Sequence, residues 1–297
     1  MAQVYLVCEG ERSSRDVRLL DAVLAQHYKL PIVIEPGGGG GNPRIVRSWL
    51  ERRVLGDIAF LIHDRDYEPL APIDAGWLNP NERSLAWRSH EIENYLLELW
   101  LIHEVFEEYR RTLGDPWVAG LPANQPAIDI ALQTISPRLF NDHIGRTVCG
   151  QLRQHKKTLG ATELNVPAGI DPLAGTVAQW HAGIQAQITQ LHATCSSIAG
   201  AAEFQVAAIT ARWAAIEHSV QAATFLTTGE YRRDLKGKRL LNLFWKYLWN
   251  TCHYPATEDD LANDLIATTR RMYRTTPDRT FDDFDQLAAR LRTVCGT

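Results

Sequence analysis

The first 63 residues alternate short apolar segments with segments of helical periodicity, and this order constrains the fold more than any other feature of the chain. Buried strands are predicted at Val4–Cys8, Ile32–Ile34 and Asp57–Ile62, because each segment is short, apolar and rich in β-branched residues. Apolar residues recur at helical spacing in Ser14–His27 and again from Ile45 to Leu50. The resulting β-α-β-α-β order predicts an α/β fold with a parallel sheet and right-handed crossovers.

The sequence beyond this unit has a different pattern. Pro69–Asn81 is rich in turn-forming residues, and Ser89–Leu97 is predicted as a strand that runs into a helix ending near Arg111. The periodicity of the C-terminal half is almost wholly helical. Segments such as Leu173–Cys195 and Ala201–Ala223 predict antiparallel helices of a bundle.

The length of 297 residues allows one large domain or two ordinary domains of roughly 100–200 residues each. Proline and glycine residues between Gly114 and Pro126 favour a boundary in that segment. We therefore predict an α/β domain at residues 1–113 and a mainly α-helical region at residues 114–297.

The composition excludes several classes of protein. A net charge of −4 is not that of a generally basic nucleic-acid-binding chain, so a nucleic-acid role would need a local basic patch or metal ions. The five cysteines lie far apart without a CxxC pair, which favours reduced thiols in the cytosol. The N-terminal segment has no signal-peptide pattern, and no apolar run approaches the roughly 20 residues of a membrane span. We therefore predict a cytoplasmic protein without a membrane partner.

Acidic residues follow two of the three predicted strands. Glu9 follows the first strand, and Asp64 and Asp66 follow the third. Ligands of open parallel sheets bind beyond the carboxyl ends of the strands, so these acids are candidates for one site. Residues i and i+2 of a strand share a face, which would also bring Glu91 and Glu93 together.

Three or more carboxylates in one crevice repel each other unless a cation is bound between them. Their hard oxygen atoms favour Mg²⁺, Mn²⁺ or Ca²⁺. One or two Mg²⁺ ions held in this way would suit phosphoryl-transfer chemistry. The alternative interpretation is that acids after a strand are turn residues, and a single Asp-x-Asp pattern does not exclude it.

Four segments, in the expected order, resemble motifs of Toprim domains. Val4–Gly10 resembles the first motif, an apolar strand that ends in Glu-Gly, and His63–Asp66 resembles the second, which ends in Asp-x-Asp. His90–Leu97 and Leu235–Leu241 are similar to two further segments of the OLD-like group of Toprim nucleases. The resemblance implies a Rossmann-like Toprim sheet flanked by helices.

The resemblance also implies roles for individual residues. The implied ligands of one or two Mg²⁺ (or Mn²⁺) ions are Glu9, Asp64, Asp66, Glu91 and Glu93. Glu9 would alternatively act as general base, and Lys238, from residues 230–250, would stabilise the phosphate in the transition state. One departure concerns the acid that usually follows Glu-Gly after two residues. Either Asp16 takes this position through a longer loop, or Glu11 substitutes, or the role is lost.

Basic residues at two places are candidates for contacts with a nucleic-acid backbone. They are Arg44 and Arg47 at the start of the second predicted helix, and Arg232, Arg233 and Lys236 near the late Gly-Lys element. Solvated helix charges are the alternative in both places. The run Gly37–Gly41 lacks the GK[ST] of a Walker A motif, so a flexible turn is favoured over a phosphate loop.

The resemblance implies a metal-dependent nuclease that hydrolyses phosphodiester bonds in DNA or RNA, including tRNA. Without a Walker A motif the chain is similar to AriB-type Toprim effectors of anti-phage systems, which associate with a separate ABC-type (AAA-type) ATPase. The alternative is a catalytically degenerate Toprim protein that acts as a regulatory or nucleic-acid-binding subunit. The helical C-terminal half would serve a homodimer or a partner equally well.

Overall fold

The chain is an α/β protein that is mostly helical and is built around one four-stranded parallel sheet. The computed structural model describes residues 3–37, 57–65, 67–113, 118–159, 167–194, 201–276 and 279–296. The predicted coarse fold class is therefore confirmed. The predicted second helix, from Ile45 to Leu50, lies outside the described residues.

The two strands at the centre of the sheet are not consecutive in the sequence. The strands are β1 (Val4–Cys8), β2 (Ile32–Pro36), β3 (Ile58–His63) and β4 (Ser84–Ala86). Their order is β2-β1-β3-β4, and every neighbouring pair is parallel. Cys8 pairs with Ile62, so β1 and β3 end side by side at the carboxyl edge of the sheet.

The apolar side chains of the central strands explain why these segments form the interior of the sheet. On one face, residues such as Leu6, Phe60 and Ile62 belong to the main hydrophobic core. On the other face, Val7 and Leu61 belong to a smaller apolar cluster. Central strands that are buried on both faces have nearly continuous apolar sequences, which is the pattern that predicted them.

Helices lie between and after the strands of the sheet. They are α1 (Arg15–Leu20), which continues as a π-helical segment (Asp21–His27), α2 (Leu70–Leu78), a 3₁₀ helix (Ile92–Leu97) and α3 (Leu99–Thr112). The helix predicted for Ser14–His27 is thus confirmed, with Ser14 as its N-cap.

Two sequence predictions in this region are wrong. Pro69–Asn81 is not turn-rich coil but contains α2, since Pro69 is the N-cap and Pro72 lies in the first turn, where no backbone N–H is needed. No strand begins at Ser89. The fourth strand lies earlier, at Ser84–Ala86, and its three residues are too few to produce an alternating pattern.

The rest of the described chain is helical, as predicted. The helices are α4 (Gln125–Ile135), α5 (Phe140–Leu159), α6 (Val177–Thr194), α7 (Val206–Gln221), α8 (Ala223–Thr227), α9 (Glu230–Asp234), α10 (Gly237–Cys252), α11 (Glu258–Thr275) and α12 (Asp282–Cys295). Short 3₁₀ segments lie at Ser136–Leu139 and Ala202–Phe204. None of the helices in the described ranges is long and apolar enough to cross a membrane.

The C-terminal helices pack directly on the α/β unit. Helix α11 contacts the π-helical segment and α3, α10 contacts the 3₁₀ helix, and α12 contacts β1. One hydrophobic core includes Leu6 of the sheet and Leu291 of the last helix. The predicted domain boundary after residue 113 stays a prediction.

Candidate active site

Acids from two neighbouring strand ends meet at the carboxyl edge of the sheet. Glu9 follows β1 and Asp64 follows β3, and the register of Cys8 with Ile62 aligns these strand ends. Burial, followed by the charges of Glu91 and Glu9, raises the pKa of Asp64 well above its usual range. The structure thus brings these predicted acids together, whereas Asp66 lies outside the described residues.

The loop after β1 turns back so that Asp16 joins these acids. Gly10 has a φ of +94°, and a Cβ atom on it would lie 2.5 Å from Ser14 Oγ and 3.1 Å from Asp16 Oδ2. Ser14 Oγ accepts a hydrogen bond of 3.4 Å from the backbone N–H of Val17, which starts α1. Asp16 is therefore buried in the first turn of α1, while Glu11 is exposed. Of the alternatives for the displaced acid, the structure favours Asp16.

Glu91 and Glu93 reach the same place from the 3₁₀ helix. Glu91 is its N-cap, and Glu93 lies in its first turn. They are 3% and 1% exposed. Their proximity to the other acids agrees with the prediction, although they lie at the start of a 3₁₀ helix and not on the predicted strand.

Contacts between the 3₁₀ helix and the start of α10 bring Lys238 to these acids. We call the contacts of Asn94 and Glu91 with residues 235–238 the clasp. The side-chain Nδ2 of Asn94 donates a hydrogen bond of 2.8 Å to the carbonyl oxygen of Leu235. Asn94 also accepts a hydrogen bond of 2.7 Å from the backbone N–H of Glu91. A Cβ atom on Gly237 would lie 2.7 Å from both the backbone N and Oδ1 of Asn94. Only glycine fits this contact without displacement of the clasp.

Glu91 forms the other contacts of the clasp, with Lys236 and Lys238. Its Oε2 accepts a hydrogen bond of 2.9 Å from the backbone N–H of Lys238, and its Oε1 lies 3.2 Å from Lys236 Nζ. Both carboxylate oxygens of Glu91 are thus engaged with the start of α10. This residue positions Lys238 in the structure, in addition to its predicted role as a metal ligand.

Lys238 and Glu93 face each other across the site. Lys238 Nζ lies 3.8 Å from Glu93 Oε1, and the lysine side chain is 54% exposed. Neither oxygen of Glu93 accepts a hydrogen bond from any described residue. A buried carboxylate without such a partner is costly, because burial removes its water and leaves its charge incompletely compensated.

We call these groups together the acid cluster: Glu9, Asp16, Asp64, Glu91 and Glu93, with Lys236 and Lys238. Burial raises the pKa of Glu93 to about 7 and that of Asp16 to about 6, although the charge of Lys238 acts in the opposite direction. Burial alone would lower the pKa of Lys238, but the charges of Glu93, Glu91 and Asp16 raise it above its usual value. The site therefore has more carboxylates than its own lysines can neutralise.

The ligand types of the acid cluster fit a hard divalent cation. All candidate ligand atoms are carboxylate oxygens, the atoms that Mg²⁺ and Mn²⁺ prefer, and the oxygens of Glu93 lack hydrogen-bond partners among the described residues. Within the described ranges, no three His, Cys, Asp or Glu side chains already stand in a coordinating arrangement. Binding would therefore require side-chain adjustment, with Glu9, Asp64 and Glu93 as the residues to hold the ion.

A second cluster lies beside the first, and each of its carboxylates is paired with arginine. Arg65 donates hydrogen bonds of 3.0 Å to the carbonyl oxygen of Arg88 and of 2.8 Å to Asp234 Oδ1. Arg233 donates two hydrogen bonds of 2.8 Å each to the same carboxylate. Arg88 pairs with buried Asp283. We call Arg65, Arg88, Arg233, Asp234 and Asp283 the arginine cluster.

The basic residues predicted to contact nucleic acid have acidic neighbours in the structure. Arg232 lies 3.2 Å from Glu98, while Arg233 and Lys236 pair with members of the two clusters. Arg44 and Arg47 lie outside the described residues. In the glycine run, the backbone N–H of Gly37 donates to the carbonyl oxygen of Cys8 at 2.7 Å, and the following glycines lie outside the described part. Contact with nucleic acid stays a prediction.

Sequence reasoning missed Asn94 and Gly237 as parts of the site, and it did not pair Arg65 with Asp234. Two signals were present. Asn94 follows Glu91 by three residues, the spacing of a helix-capping pair, and Gly237 directly precedes Lys238 at a helix start. Neither signal shows which distant segment is contacted.

Comparison with known proteins gives no independent identification of the chain. No protein-family model and no curated protein matches it. The Toprim resemblance therefore depends on the four motif segments, and what it implies for function is a matter of proposal.

Proposed function

We propose that this protein is a Toprim-type nuclease, dependent on Mg²⁺ or Mn²⁺, that hydrolyses phosphodiester bonds in DNA or RNA. The observation that carries the proposal is the convergence of strand-end acids with Lys238 at the carboxyl edge of a parallel sheet. Glu9, Asp64 and Glu93 come from three separate segments, and Lys238 from a fourth. A turn acid without function has no physical reason to meet the others.

The residues of the chain suit the charge changes of phosphodiester cleavage. Lys238 is half exposed, and its raised pKa keeps its ammonium group charged, so it can donate to a phosphate oxygen as negative charge develops. Asp16 and Glu93, with pKa values of about 6 and 7, can hold or accept a proton near neutral pH. Divalent ions, when bound by the carboxylates, would supply activation of water and neutralisation of phosphate charge.

The proposal includes control by a separate ABC-type ATPase, as in the anti-phage effectors that the sequence resembles. This part has the resemblance as its only support. The second candidate function is a degenerate, regulatory Toprim subunit. It is favoured by the lack of a ready-made three-residue metal group in the described ranges and by the acidic neighbours of Arg232, Arg233 and Lys236.

The two candidates are separated by incubation of purified protein with plasmid DNA and with total RNA, in Mg²⁺, Mn²⁺ or EDTA. We expect metal-dependent cutting that falls about 100-fold or more in Lys238→Ala, which loses a group that stabilises developing charge, and in Glu93→Gln, which loses a carboxylate that would hold the ion. Glu11→Gln is the matched control, because Glu11 lies in the same loop as the acids but is exposed.

A wild-type protein that requires its partner would not cut in this assay. The second readout is therefore growth of cells that express the protein, with and without the two substitutions. Equal toxicity of wild type, Glu93→Gln and Lys238→Ala, together with absence of cutting, would contradict the enzyme proposal and favour the regulatory subunit.

A further inference from the structure

A cavity of about 350 Å³ opens beside the acid cluster. It lies between the loop after β3 and helices α5, α7 and α9, and Arg65 and Tyr67 of that loop line it. Its volume is at the lower end of the roughly 300–1,000 Å³ found for small-molecule sites. Burial, followed by the charges of Asp142 and Glu91 among others, raises the pKa of Tyr67 well above its usual range, so this lining residue lies near Glu91 of the acid cluster.

Aromatic rings form one side of the cavity. The ring of Tyr67 lies 4.1 Å from that of His90 and 5.9 Å from that of His143, and the ring of Phe225 lies 6.3 Å from that of His143. Tyr67 has a φ of +64°, which is rare for a bulky residue and typical of functional positions. Together with the apolar side chains of Ile216 and Val220, these rings favour a flat aromatic ligand.

The polar groups of the cavity favour a neutral ligand that donates hydrogen bonds. The carboxylates of Glu68 and Glu230 line it, and the charge of Glu230 acts on Arg233 nearby. Its arginine, Arg65, is already paired with Asp234. Burial lowers the pKa of His143 to about 4, so its ring is uncharged at neutral pH. A phosphate group would therefore meet net negative charge here, whereas N–H groups would find acceptors.

We propose that this cavity holds one unstacked nucleobase of the substrate strand, next to the phosphate that is cut. Guanine fits best, because its N1–H and N2–H groups are adjacent donors that match a carboxylate such as Glu68 or Glu230. The other bases present fewer adjacent donors. This inference rests on the proposed nuclease function, but binding of a base does not itself require metal or catalysis.

The first experiment measures binding of nucleosides, which carry no phosphate, to the purified full chain by ligand-observed NMR in EDTA. We expect saturable binding of guanosine that is about tenfold tighter than that of uridine, corresponding to about 1.4 kcal/mol. Ala215→Trp, which fills the cavity from its rim, should abolish this binding. Ala214→Trp is the matched control, because Ala214 is an exposed neighbour on α7 that does not line the cavity.

The second experiment maps the cut positions on RNA and single-stranded DNA. Wild type and Ala214→Trp should prefer one position relative to guanine, and Ala215→Trp should lose this preference while it still cuts. If guanosine binds while no cutting occurs, and wild type and Glu93→Gln are equally toxic, guanine binding in the cavity stands and the nuclease proposal falls.

The cavity proposal is overturned if guanosine binds no better than uridine, or if Ala215→Trp and Ala214→Trp bind it equally. It is also overturned if guanosine does not bind, whereas arginine amide, a cationic probe, binds to wild type and fails to bind to Ala215→Trp. In that case the acids of the cavity would serve a basic ligand instead of a base.

Discussion

The acid cluster and the arginine cluster lie side by side, and they treat buried carboxylates in opposite ways. In the arginine cluster, Asp234 accepts hydrogen bonds from Arg65 and Arg233. Burial alone would raise the pKa of Asp234, but these arginines hold it below its usual value. In the acid cluster, burial raises the pKa of Glu93 to about 7, and Lys238 only partly opposes this.

The difference shows that arginines neutralise the charge of Asp234, whereas no comparable set of cations neutralises the acid cluster. The two clusters even share one segment, since Arg233 and Asp234 lie in α9 and Lys236 and Lys238 follow directly. Excess negative charge at the acid cluster is therefore a property of that site and not of the region. Such an excess is what a site for a divalent cation requires, and the bound cation would in turn neutralise the charge of a phosphate.

The largest expected effect comes from breaking the arginine cluster. In Asp234→Ala, the guanidinium group of Arg65, with a side chain that is only 6% exposed, loses its carboxylate partner. Removal of one partner from a buried ion pair costs about 3–5 kcal/mol, so we expect a loss of that order in the free energy of unfolding. Urea denaturation measures it. Asp259→Ala is the control, because its ion pair with Arg15 is at the surface and 83% of its side chain is exposed. Equal stability losses would remove the contrast between buried and exposed pairs.

The second prediction concerns the pH dependence of stability in EDTA. The pKa of Glu93 is raised from 4.5 to about 7 in the fold, so its protonated form is favoured there. Its favourable contribution is complete below about pH 4.5 and disappears as the pH rises through 7. The loss is at most about 3 kcal/mol, since one pKa unit corresponds to about 1.4 kcal/mol.

Glu93→Gln tests this prediction, because glutamine stays neutral. The variant should be more stable than wild type at pH 8 in EDTA and equally stable at pH 4.5, as measured by urea denaturation. The lowered pKa of Asp234 acts only in more acidic solution, where its contribution is lost as the pH falls. A wild-type stability that rises between pH 5 and pH 8 by more than that of the variant would contradict the predicted sign.

The third prediction concerns the clasp that positions Lys238. In Gly237→Ala, the added Cβ atom would meet Asn94 at 2.7 Å, so the start of α10 must move. Overpacking of this kind costs about 1–3 kcal/mol. We expect that loss in urea denaturation, together with a lower kcat and an unchanged KM for cutting. Gly76→Ala is a matched control, since its Cβ atom would meet only a side-chain carbon at 3.9 Å. A KM that rises while kcat is unchanged would argue against a positioning role.

The sequence predicted those parts of this site that depend on local pattern. The three strand segments, and the acids at the ends of two of them, are visible in the sequence, whereas the register that aligns β1 with β3 is not. Helix α2 was missed because proline and glycine residues were interpreted without their positions, although Pro69 and Pro72 stand where a helix tolerates them.

The clasp and the arginine cluster were not predictable in the same way. Asn94 and Gly237 meet only in the folded chain, and no periodicity connects segments so far apart. Arg65 stands between Asp64 and Asp66 in the sequence, which does not reveal that its partner is Asp234 in α9. Local pattern thus locates the acids, whereas tertiary contacts decide which of them remain without a matching cation.

The smallest expected effect, and the most direct test of the contrast, is stabilisation by Mg²⁺. A cation that binds the acid cluster only in the folded state stabilises it by about 1.4 kcal/mol at roughly ten times its Kd, or about 2–4 °C in Tm for a protein near this size. We expect this increase for wild type at pH 8 and a much smaller one for Glu93→Gln in thermal denaturation with added MgCl₂. The increase should also be smaller at pH 5, where protons compete with the ion for Glu93. Asp234→Ala should keep it, after correction for its lower starting Tm, because Asp234 belongs to the arginine cluster. If Mg²⁺ raises the Tm of wild type and Glu93→Gln equally, the negative charge of the acid cluster has another purpose than binding a cation through Glu93.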